Sequence, residues 1–78
     1  MREGDFMRRY FFTVRWSDHT DDDQLGTPLK DDAAALDHAC RIVQGLRSGG
    51  CDDHGLLVEV RNELHRTVLY VPFLAACA

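Results

Sequence analysis

The stretch 9-RYFFTVRW-16 decides how the rest of the chain is read. Tyr10, Phe12, Val14 and Trp16 fall on one side of a two-residue repeat, and Phe11, Thr13 and Arg15 fall on the other. β-Branched and aromatic side chains suit a pleated surface, so these residues predict a strand with one apolar face. Phe11 is then a surplus aromatic on the second face, and it needs a cover of its own.

Downstream, the acidic run 17-SDHTDDDQLG-26 predicts a turn and loop, with Gly26 free to take a positive φ. Thr27 to Lys30 predicts a short second strand, which Pro28 confines to an edge because it has no amide to donate. Asp31 stands where a helix N-cap belongs, and Asp32 adds negative charge at the positive end of the helix dipole. The helix is expected from Asp32 to Arg47, with Ala35, Leu36, Ala39, Cys40, Ile42, Val43 and Leu46 in one apolar stripe. Gly45 weakens it by ~1 kcal/mol relative to alanine, and Gly49-Gly50 supplies the stop.

Two further strand patterns follow, Leu56 to Arg61 and Thr67 to Phe73, with 62-NELHR-66 as the hairpin connection. Val58 and Val60 point to the core with Leu69, Val71 and Phe73, whereas Glu59, Arg61, Val68 and Tyr70 point away. The expected architecture is α+β in the order β-β-α-β-β, a small antiparallel sheet with one amphipathic helix packed on one face. Residues 1–6 read as a mobile leader, 7–73 as a single domain and 74–78 as a C-terminal tail.

The order "RYFFTV", "D-x-x-G" (23-DQLG-26), an aspartate-capped alanine-rich helix and a closing "VPF" at 71–73 resembles a group of short proteins of unknown function. That group is typical of rhizobial-type alphaproteobacteria, and its members often carry a histidine where this chain has Thr13. The resemblance implies the fold and a bacterial setting and carries no activity.

Composition narrows the chemistry. The formal charge is −4, and eight of the nine basic residues are arginine. Acids gather at Asp18, Asp21 to Asp23, Asp31, Asp32, Asp52 and Asp53, so a phosphate backbone would be repelled and nucleic acid is a disfavoured partner. Cys40, Cys51 and Cys77 form no C-x-x-C pair and are expected as reduced thiols of a cytoplasmic protein. The longest apolar run, 67–78, contains Pro72 and is too short to span a bilayer, so no membrane role is expected.

No catalytic, cofactor-binding or metal-ligating set emerges. The stretch 21-DDDQLGTPLKDD-32 imitates a calcium loop, but Leu25 offers no oxygen at its fifth position and Asp32 replaces the bidentate glutamate. Cys51 with His54 is half a zinc site, and as a nucleophile–base pair it lacks an orienting third member. An enzyme is therefore not expected, and no cofactor is implied.

The second face of the sheet remains. Phe11, Arg15, Leu57, Val68 and Tyr70 form the candidate interface, an apolar centre among Thr13, Glu59 and Arg61. It is expected to bind a second copy as a homodimer, and through it the domain serves as a non-enzymatic module for a protein partner that the residues do not identify. The alternative is an antitoxin-like or RNA-binding regulator resembling partial antitoxins of the HicB type. In that reading Phe11 and Tyr70 stack bases beside Arg15 and Arg61.

Overall fold

The computed structural model describes residues 7–75. It contains β1 (Arg8–Arg15), β2 (Thr20–Asp21), β3 (Thr27–Leu29), α1 (Asp32–Ser48), β4 (Leu57–Arg61) and β5 (Thr67–Pro72). The fold is α+β, an open sheet of five antiparallel strands with one helix. The leader expected at 1–6 and the end of the tail, 76–78, lie outside the described residues.

β1 is the strand on which the sheet is built. β4 pairs with Phe11–Arg15 in the register Thr13↔Glu59, and β5 pairs beyond β4. On β1 itself, β3 takes Arg8–Tyr10 and β2 takes Val14–Arg15. β2 is an addition to the expected order. Thr20 and Asp21 are both exposed and show no apolar alternation, so nothing in their side chains signals a strand. Their placement comes from the turn: the Trp16 amide donates to His19 O (2.8 Å), and the indole donates to Asp21 Oδ2 (3.0 Å).

Between β2 and β3 the amide of Phe12 has no strand partner, and the Asp23 carboxylate takes its place. The Phe12 amide donates to Asp23 Oδ2 (3.1 Å), while the Leu25 and Gly26 amides donate to Oδ1 (3.2 and 2.9 Å). Gly26 completes this turn at φ 76°; a Cβ there would stand 2.7 Å from Arg9 Cγ and 2.9 Å from a Phe11 ring carbon. Both the conformation and the space demand glycine. That is the structural content of the D-x-x-G spacing.

The helix starts and stops where its caps dictate. Asp31 accepts a hydrogen bond from the Ala34 amide (2.9 Å), a cap worth ~1 kcal/mol. At the other end the Cys51 amide donates to Leu46 O (3.0 Å) and the Gly50 amide to Arg47 O (3.1 Å), with Gly50 at φ 91°. This 6→1 and 5→2 pair is a Schellman motif. Ala35, Ala39 and Val43 are the fully buried line of the helix, with Cys40, Ile42 and Leu46 half-buried beside it. Leu36, at the margin of the expected stripe, is exposed.

Tyr10, Phe12, Val58, Val60, Val71, Leu56 and Phe73 complete the core on the helix side, as alternation requires for the central strands. Tyr10 is wholly buried and donates its hydroxyl to Asp32 Oδ1 (2.6 Å), which ties the sheet to the first helical turn. Burial and then the neighbouring carboxylate push this phenol up to about 12. One expectation is reversed at β5. A bulge opposite Val60 and Arg61 leaves Val68 out of register, and Val68 packs with the core cluster instead of on the second face.

Candidate functional site

The face of the sheet turned away from the helix carries the densest set of polar contacts. Register places Thr13, Glu59 and Tyr70 in one cross-strand row, flanked by Phe11 with Arg61 and by Arg15 with Leu57. A side chain on such a face is ordinarily solvated, yet Glu59 is only 2% exposed.

Three neighbours account for it. Arg15 donates through Nε to Oε1 (2.8 Å) and brings Nη2 to 2.6 Å of the same oxygen. Arg61 Nε (3.1 Å) and the Thr67 hydroxyl (2.5 Å) both donate to Oε2. The Thr67 hydrogen bond, then those from Arg61 and Arg15, outweigh burial and hold the carboxyl down at about 2. Arg15 is shifted upward, first by its hydrogen bond to Glu59. The carboxylate thus stays ionised and fixes two guanidinium groups flat on the sheet.

Beside this network lies a pocket of about 260 Å³ lined by Phe11, Thr13, Asp22, Asp23, Gln24, Arg61 and His65. Its aromatic wall is the Phe11–His65 stack, with ring centroids 5.7 Å apart. The hairpin holds His65 in position. The Asn62 side chain accepts from the Leu64 and Arg66 amides (2.9 and 3.1 Å), and His65 adopts φ 62°, a left-handed conformation uncommon for a residue with a Cβ.

Of the five candidate interface residues, Phe11, Arg15, Leu57 and Tyr70 share this face, and Val68 does not. Phe11 is already half covered by His65 and Gly26, whereas Tyr70 is 58% exposed. The sequence reading gave Thr67 and His65 no role at this face, set Glu59 only in the polar surround of the interface, and set Asp23 only in the D-x-x-G motif and the acidic loop. A Glu-x-Arg pair on an outward face, opposite an arginine on β1, is the signal that could have found the ionic centre.

The residues considered for chemistry lie apart from this face. His54 stacks on Phe73 at 5.8 Å, and Cys51 is a half-buried free thiol. Among the described residues no group of three or more His, Cys, Asp or Glu side chains could hold a metal ion. None of the described helices is long and apolar enough to cross a membrane.

No curated protein and no solved structure matches the chain. Residues 9–75 match DUF6894, a domain of unknown function, and the chain belongs to that family.

Proposed function

We propose that the domain is a non-catalytic protein-interaction module that associates with a second copy of itself through the outer face of its sheet. One observation supports this above the others. Phe11, Leu57 and Tyr70 surround an ionic centre whose buried carboxylate is already satisfied, on the face opposite the helix. An internally paired centre can be covered by a partner with its carboxylate already neutralised, and an apolar surround gains by being covered. A two-fold pairing needs only that the face complement itself.

Tyr70 is the residue to test, because a charged group at Phe11 would disturb its contacts with Gly26 and His65 as well. The full chain should have twice the monomer mass by light scattering at micromolar concentration. Tyr70→Glu should restore the monomer and leave the far-ultraviolet circular dichroism unchanged. A wild-type chain that stays monomeric at high micromolar concentration would sink the proposal.

The antitoxin-like or RNA-binding reading finds less support on the same face. Arg15 and Arg61 both spend hydrogen bonds on Glu59, and the adjoining loop carries Asp21, Asp22 and Asp23. A cytoplasmic setting accompanies this reading, supported by an odd cysteine count without a C-x-x-C pair.

A further inference from the structure

The pocket beside the ionic centre shares Phe11 with the proposed self-association face and adds polar groups of its own. Its polar groups divide into those already committed and those still open. Asp23 is committed, with both oxygens accepting backbone amides. Arg61 gives only its Nε to Glu59, which leaves its terminal nitrogens open. Asp22 and Gln24 line the pocket without a side-chain hydrogen bond or ion pair among the described residues. Thr13 is the most telling. It is 3% exposed, it lines the pocket, and its hydroxyl has no hydrogen-bond partner among the described residues. A hydroxyl so placed faces the cavity and can donate to or accept from what enters it.

We infer that this pocket binds a small zwitterion, an α-amino acid with a flat or apolar side chain. The open guanidinium nitrogens of Arg61 suit a carboxylate, and the open carboxylate of Asp22 suits an ammonium. The Phe11–His65 stack offers an apolar wall for the side chain. The volume of about 260 Å³ has room for a ligand of that size. A simple anion would meet Asp22 and Asp23, and a simple cation would meet Arg61, so each alone is opposed by part of the lining.

The site needs no second subunit, so its test is independent of the mass of the chain. Phenylalanine, its N-acetyl derivative and its amide are titrated separately into the full-length protein, followed by amide chemical shifts. Free phenylalanine should give saturable changes centred on Thr13, Gln24 and His65. Removing either ligand charge should weaken binding about tenfold, the size of one open charged hydrogen bond. Asp22→Asn should produce the same loss for the free amino acid and little loss for the N-acetyl derivative. Thr13→Val keeps the strand-forming shape and should also weaken binding. The inference is overturned by an absence of saturable change at millimolar phenylalanine. Equal binding of all three ligands, or an Asp22→Asn chain that binds phenylalanine unchanged, would overturn it too.

Discussion

Glu59 shows how far a single side chain can depart from what its position in a strand suggests. Alternation puts it on the outward face, and register then surrounds it with Arg15, Arg61 and Thr67. Its carboxyl titrates at about 2, below its ordinary 4.5. A depressed folded value means the folded state resists protonation. The resulting stability is present above pH 4.5 and is lost as pH falls towards 2. The shift sets an upper bound of about 3 kcal/mol, reduced by solvent screening of the two part-exposed arginines. Glu59→Gln removes the charge but keeps the shape, and should cost about 2 kcal/mol at neutral pH because two guanidinium groups lose their anion. Urea denaturation at pH 7 and pH 3 checks both statements. The variant should lose much less stability than the wild type between those two pH values, and an identical acid-side loss in the two chains would assign it elsewhere.

At the scale of elements, the chain was most legible where one physical rule acts alone. The period of Tyr10 to Trp16, the Asp31 cap and the Pro28 edge position each follow from a local preference, and each stands where that preference puts it. Legibility failed where two elements had to be known together. Val68 fits a two-residue period until the bulge opposite Val60 shifts it towards the core, and a one-residue insertion reverses facing in any strand. Asp23 belongs with these cases: its acidic loop reads as solvated, and its role emerges only once β2 and β3 leave the Phe12 amide between them. Asp23→Ala should therefore destabilise the domain by about 2 kcal/mol, since three amides lose their acceptor and only the exposed ones regain water fully. Hydrogen exchange at Phe12 should quicken more than at Thr13. Asp23→Asn, which keeps one carbonyl acceptor, should recover part of the loss. Unchanged exchange at Phe12 in Asp23→Ala would show that the carboxylate is not its protecting partner.

For the molecule as a whole, charge is the property that reaches furthest. The net charge of −4 is plain in the sequence, and strand alternation sets Arg15 and Arg61 together on the outer face. The fold neutralises much of that display by burying Glu59 between them, and it sets Asp22 and Asp23 at the rim of the adjoining pocket. A phosphate chain approaching this face would meet guanidinium groups whose charge is offset by Glu59, beside carboxylates that repel it. The wild-type chain is expected to leave RNA and DNA unretarded in gel-shift assays even at low salt, where electrostatic binding is strongest. Glu59→Gln supplies the internal control, because it adds one unit of positive charge at the centre and releases both arginines. If the buried carboxylate silences the face, this variant should acquire weak retention that disappears as salt is raised. Retention by the wild type with a steep salt dependence would mean that the arginines are open despite Glu59, and it would move the antitoxin-like reading ahead of self-association.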